Sequence, residues 1–98
     1  MTKDTDKKIH LSGHMDVPPE RIDAVLTAVS DHIALTRAEE GCHSFEVTRC
    51  PDVQGRFLVN ETFKNRAAFD QHQTRTSTSP WAAITTGLPR DYKITEGS

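Results

Sequence analysis

The chain has 98 residues, enough for one domain and too few for two self-sufficient cores. Apolar residues are 35 %, about 40 % with the five glycines counted, against a usual 45–50 % on that count. The core is therefore thin, and a second subunit covering apolar surface fits the composition. Twelve Lys and Arg against fourteen Asp and Glu leave a formal charge of −2. No basic excess exists to neutralise phosphates, so the expectation is no nucleic-acid partner. The longest unbroken apolar run is the four residues Trp81 to Ile84, so no membrane-spanning helix is expected. Residues 1–7 read as a polar, disordered leader without the apolar stretch of a secretory signal, which predicts a cytoplasmic protein with a single domain over residues 8–98.

From Ile9 the pattern alternates. Ile9, Leu11, Gly13, Met15 and Val17 fall on one side, and His10, Ser12, His14 and Asp16 on the other, as in a half-buried strand. Pro18 and Pro19 stop it, and a proline suits the first turn of the next helix. Glu20 and Asp23 suit a helix N-terminus. Ile22, Val25, Leu26, Val29 and Ile33 recur at helical spacing, predicting a helix to about Glu39 with Gly41 as its stop. Phe45 and Val47 then alternate with Ser44, Glu46 and Thr48 as a second strand. Pro51, Asp52 and Gly55 bracket a turn. Phe57, Val59, Glu61 and Phe63 alternate with Leu58, Asn60 and Thr62 as a third strand, completing a β-hairpin.

Asn65 can cap a second helix with Ala68, Phe69 and His72 on one face. Residues 75–79 read as a polar linker. Ser79-Pro80 reads as a cap and first-turn proline for a short helix through Trp81 and Ile84, ended by Gly87. Pro89 leads into a last strand with Tyr92 and Ile94 on one face. The order β-α-β-β-α-β predicts an α+β, ferredoxin-like antiparallel sheet with helices on one face. The other face must be solvated or covered by a second subunit.

Three stretches carry a family resemblance. They are Glu40-Gly41-Cys42-His43-Ser44-Phe45-Glu46-Val47, Arg56-Phe57-Leu58-Val59-Asn60-Glu61-Thr62-Phe63, and Ala67-Ala68-Phe69-Asp70-Gln71-His72. With these the chain resembles the antibiotic biosynthesis monooxygenase family over roughly residues 9–96. The resemblance implies a dimeric α/β barrel: a homodimer whose two sheets pack face to face, with a small-molecule pocket in each subunit. It also implies a cofactor-independent enzyme that oxidises a quinol, an anthrone or a similar electron-rich aromatic with O2. Other members process a small signalling molecule or degrade haem. The haem-degrading members carry a Trp at the end of strand three and a His after helix two. Here those places hold Phe63 and, near Trp81, Ile84 or Thr85, which disfavours haem.

Glu61 and His72 are the candidate catalytic pair. A carboxylate among apolar neighbours has a raised pKa, and an imidazole suits a general base at neutral pH. The structural alternative is a carboxylate bonded to Arg66 or Arg75 and a histidine that holds its helix to Glu61. Trp81 offers a flat wall for an aromatic ring or a plain core plug. Tyr92 can donate to a carbonyl oxygen, and Arg90 can stabilise an enolate or phenolate or lie on the surface. The resemblance places His43, Phe45 and Phe63 on the substrate-binding face. It also places His10, His14 and Asn60 on the face that a dimer buries.

The glycines form no phosphate loop, and the five histidines show no metal-ligand spacing, so no metal is expected. On one straight strand Cys42 and Cys50 would sit roughly 26 Å apart, too far for a disulfide, so two free thiols are expected. Two further functions remain open: an isomerase or processing enzyme for a small oxygenated metabolite, and a dimeric ligand-binding module without turnover.

Overall fold

The computed structural model describes residues 7–97. The expected leader, residues 1–7, lies outside them except for Lys7. Strands β1 (Ile9–Asp16), β2 (Cys42–Arg49), β3 (Arg56–Phe63) and β4 (Arg90–Glu96) form one antiparallel sheet in the order β2-β3-β1-β4. Helices α1 (Ile22–Arg37), α2 (Arg66–Ser77) and α3 (Pro80–Ile84) complete the ferredoxin-like α+β fold.

The period-two pattern sets the faces. In β1 the residues Ile9, Leu11 and Met15 are buried, and in β3 so are Phe57, Val59, Glu61 and Phe63. Ala68 and Phe69 of α2 close over Ile9, Leu11, Val59 and Phe63. Val25 of α1 and Leu88 close over Met15, Val17 and Phe57. Each fully buried side chain of this size contributes about 1.5–3 kcal/mol. The opposite face of the sheet stays open and polar. There His10 Nδ1 lies 3.1 Å from Thr62 Oγ1, and Arg56 makes a two-pronged ion pair with Asp16 at 2.8 and 3.1 Å. Both expected caps form. Asn65 Oδ1 accepts from the Ala68 amide at 2.9 Å, and Ser79 Oγ accepts from the Ala82 amide at 3.3 Å.

The structure departs from the sequence reading at four places in the helices and their ends and at one in β2. A single 3-10 turn, Pro19–Arg21, precedes α1, which ends at Arg37 and not Glu39. The inward stripe of α1 is Val25, Val29, His32 and Thr36, while Leu26 is 38 % exposed. Gly41 keeps a negative φ, so it is not a left-handed helix stop. It lies against α2, where a Cβ would come within 2.3 Å of Ala68 Cβ. Finally, α2 runs through the expected linker, so Arg75 and Thr76 are helical.

The start of β2 carries a bulge. Cys42 pairs with Phe63 and Ser44 with Thr62, which leaves His43 as the extra residue. The bulge breaks the alternation that put His43 on the same face as Phe45. On the central strand, Gly13 lets β4 approach. A Cβ there would fall 2.0 Å from the Asp91 carbonyl oxygen, and this contact sets Tyr92 opposite Gly13, facing the helices.

Candidate active site

A cavity of about 220 Å³ lies between the sheet and the helices. Its floor is apolar, from Leu11 of β1, Val59 of β3, and Phe45 and Val47 of β2. Its polar lining comes from Glu61, His72, Thr76, Gln73, Arg90 and Tyr92, and His32 and Trp81 close one side. The sheet thus supplies Glu61 and Tyr92 by strand alternation, and α2 supplies His72, Gln73 and Thr76 from successive turns.

His72 is 2 % exposed and fixed at one nitrogen. Its Nδ1 lies 3.1 Å from Glu39 Oε1 and 3.3 Å from Glu39 Oε2. Arg75 holds the same carboxylate through Nε, and its Nη2 donates to Thr36 Oγ1 at 3.1 Å. A carboxylate can only accept, so His72 Nδ1 carries the proton and Nε2 carries the lone pair. Nε2 lies 3.4 Å from Thr76 Oγ1 and 3.9 Å from Glu61 Oε1. That Oε1 is occluded and has no hydrogen-bond partner. Arg66 bonds to Glu96, so neither arginine expected to neutralise Glu61 does so.

The electrostatics follow from burial. Desolvation, with the charge of Glu39 adding to it, lifts the Glu61 carboxyl to about 7. Desolvation pushes His32 down to about 4, assisted by His72 and Arg75. Burial also holds His72 below the ordinary imidazole range, against the pull of the Glu39 carboxylate. Burial pushes the Tyr92 phenol up and the Cys42 thiol up, so Cys42 is not poised as a thiolate. The cavity therefore holds an imidazole nitrogen whose lone pair meets Thr76 Oγ1 at 3.4 Å, beside a carboxylic acid that changes charge near neutral pH. That combination can take one proton and return another.

Of the expected site residues, the structure brings Glu61, His72, Phe45, Trp81 and Tyr92 together. Phe63 faces the right way but lies behind His72, ring centres 4.8 Å apart, and is 0 % exposed, so it supports the histidine and does not wall the cavity. His43 is exposed in the bulge, in a shallow depression with Arg37 and Glu46 and outside the cavity. His10, His14 and Asn60 lie on the open face. Two residues were missed. Glu39 reads only as the approximate end of the first helix, and nothing local in the sequence marks it as the partner of His72. His32 sits at the inward spacing set by Val25 and Val29, which a search restricted to apolar residues passes over. Among the described residues, no cluster of three or more His, Cys, Asp or Glu is placed to hold a metal ion, and no helix is long and apolar enough to cross a membrane.

The two large shifts predict opposite pH dependences. Unfolded, Glu61 ionises near 4.5; folded, it keeps its proton to about 7. Its contribution to stability is full below pH 4.5 and is lost as pH rises through 7. His32 protonates near 6.5 when unfolded and near 4 when folded. Its contribution is full above 6.5 and is lost as pH falls through 4. In thermal or urea melts from pH 4 to 8, Glu61→Gln should gain stability relative to the parent as pH rises. His32→Phe should gain it as pH falls. Each trend should total roughly 3 kcal/mol. Parallel curves for parent and variants would show that neither group titrates as its burial requires.

The model of the family described as antibiotic biosynthesis monooxygenase matches residues 9–82. A curated relative, an uncharacterised protein from Synechocystis named sll1783, is 30% identical over 70 residues. These are 71% of this chain and 48% of that protein, so the chain spans about half the length of the curated relative it matches. Among solved structures, a conserved protein of unknown function from Bacteroides thetaiotaomicron superposes with a TM-score of 0.82 at 17% identity, over 93% of this chain and 98% of that one. Rv0793 from Mycobacterium tuberculosis superposes with a TM-score of 0.71 at 21% identity, over 90% and 92%. At these identities the structures show the shared fold. The family match covers most of the chain, from β1 into α3, and includes every residue of the Glu39–His72–Glu61 cluster: the chain belongs to the antibiotic biosynthesis monooxygenase family.

Proposed function

We propose that the chain is a cofactor-independent monooxygenase acting on a small quinol or similar electron-rich phenol. The observation that carries this reading is the pairing of His72 Nε2 with Glu61 Oε1 in one cavity. Nε2 carries the lone pair because Glu39 holds Nδ1, its hydrogen-bond contact is Thr76 Oγ1 at 3.4 Å, and Oε1 has no protein partner. Nε2, met only by Thr76 Oγ1, and the unpartnered Oε1 lie 3.9 Å apart, so one substrate hydroxyl could serve both once the neighbouring side chains shift to open Oε1. Cavity size supports a single ring. A dry cavity of about 150 Å³ binds benzene, and the 220 Å³ here has room for one substituted ring.

The residues would act as follows. His72 Nε2 takes the phenol proton, and Glu39 stabilises the imidazolium. The phenolate passes one electron to O2, which avoids the spin barrier, and the two radicals join through a new carbon–oxygen bond. The outer oxygen leaves as water, with protons supplied by His72 and by Glu61 in its acid form. The ring carbon loses its hydrogen as a proton. A quinol plus O2 gives a hydroxyquinone plus water, and the atoms balance without a further reductant. Phe45 and Trp81 wall the ring, Tyr92 donates to an oxygen, and the apolar floor excludes water.

A binding module without turnover is the reading that the Glu39–His72 pair favours when taken alone. Oxygen uptake by chelator-treated protein separates the two. With monocyclic quinols, uptake above autoxidation should fall at least about 100-fold in kcat/KM in His72→Ala. Uptake equal in parent and variant, or none across the quinols, would remove the proposal.

We further propose that the open sheet face, with His10, His14 and Asn60, joins a second copy in a homodimer. A polar face carrying Leu58 opposite His14, together with the His10–Thr62 contact, supports it, as does the thin core. Sedimentation equilibrium at micromolar concentration should give twice the chain mass, and Asn60→Arg should halve it. A folded monomer for the parent would overturn it.

A further inference from the structure

His32 is buried, 4 % exposed, yet among the described residues it makes no hydrogen bond. Rings surround it. The Trp81 indole stacks on it at 4.9 Å and 7°, Phe45 meets it edge-on at 5.3 Å, and His72 lies 5.9 Å away. Glu61 Oε1 is the one unpartnered side-chain polar atom among the described residues that is also fully occluded. The unpartnered nitrogens of His32 therefore keep open surface, and the only spaces beside them are cavities. Leaving a buried imidazole unpaired is costly, and a ligand oxygen would remove that cost.

His32 and Trp81 also line a second cavity, an outer groove of about 340 Å³ between α1 and the start of α3. Ala28, Ala34, Leu35, Pro80 and Trp81 make most of its walls apolar, and Asp31, Arg75 and Ser79 add polar groups to the lining. Leu35 is 56 % exposed, the most exposed large apolar side chain among those of the described residues. The stacked pair is thus a shared wall, with a polar cavity inside and an apolar groove outside. A ligand that reached both would have to displace the Trp81 indole, carried on a five-residue helix, from His32.

We infer that the substrate is a quinol carrying an apolar side chain, with one oxygen at His72 and Glu61, its second oxygen bonded to the His32 N–H, and the side chain lying past Trp81 in the outer groove. The inference rests on the proposed function for the identity of the ring alone. Neutral His32 acts as a hydrogen-bonding contact and not as a second base, so it fixes which way round the ring sits. Leu35 and Pro80 select for the length of the side chain.

The test reads binding under anaerobic conditions, so it does not depend on turnover. Trp81 is the chain's single tryptophan, and its emission reports on the junction directly. Titration calorimetry and fluorescence would compare hydroquinone, pentylhydroquinone and 4-pentylphenol. The parent protein should bind pentylhydroquinone at least tenfold tighter than hydroquinone and about three- to tenfold tighter than 4-pentylphenol. Trp81 emission should change most with the pentyl ligands. His32→Phe keeps the ring stack and should erase the preference over 4-pentylphenol alone. Leu35→Asp, on an exposed position, should cut the preference over hydroquinone alone, and it tests the groove even if His32→Phe does not fold. Equal affinity for the three ligands, or equal weakening of all three in both variants, would overturn the inference. A protein that shows these preferences and consumes no oxygen would keep this site and lose the monooxygenase reading.

Discussion

Glu39 is the fixed point of the site. It follows α1, and it reaches across to Nδ1 of His72 on α2 while Arg75, one turn further along α2, grips its other oxygen. This one contact decides the tautomer of His72, the direction of its lone pair and the docking of α2 on the end of α1. It depends on backbone that has no chemistry of its own. Gly41 lets the chain pass within contact of Ala68, and Asn65 starts α2 at the register that turns Ala68, Phe69 and His72 inward. An ion pair with this little exposure repays its desolvation only when every lone pair and proton is used. His72 and Arg75 both bond to Glu39, and Thr36 in turn accepts from Arg75.

The rest of the cavity works by leaving groups unused. Glu61 stands among apolar neighbours with no arginine, which is why burial raises its pKa. His32 has only rings around it and stays neutral. These are local violations of the rule that buried polar groups are paired, and they occur in the one region where the sheet and helices fail to close on each other. Elsewhere the two apolar clusters close fully around Phe63 and around Met15 and Phe57. The molecule concentrates its unpaired polar groups along one cavity.

Much of the fold was legible because strand faces repeat every two residues and caps have a fixed chemistry. Ile9, Leu11 and Met15 point inward as their alternation requires, and Asn65 and Ser79 cap the helices they precede. His72, Glu61, Trp81, Phe45 and Tyr92 came with the same periods and meet in one cavity. The misses have physical causes. A bulge is one extra residue with no compositional mark, and it turned His43 away from the face of Phe45. Facing does not equal lining, so Phe63 ended up behind His72. The Glu39–His72 contact spans 33 positions, and no local pattern encodes a tertiary ion pair. His32 is a polar residue at an apolar spacing, which makes sense only once the cavity is visible.

The central claim is that Glu39 fixes His72 with its proton on Nδ1 and its lone pair at Nε2, facing Glu61. Nitrogen-15 NMR of the imidazole side chains at neutral pH reads this directly. The account requires His72 as the neutral Nδ1–H tautomer in the parent protein, and loss of that single tautomer in Glu39→Ala with the fold retained. A His72 signal from the Nε2–H tautomer, or one unchanged in Glu39→Ala, would contradict it.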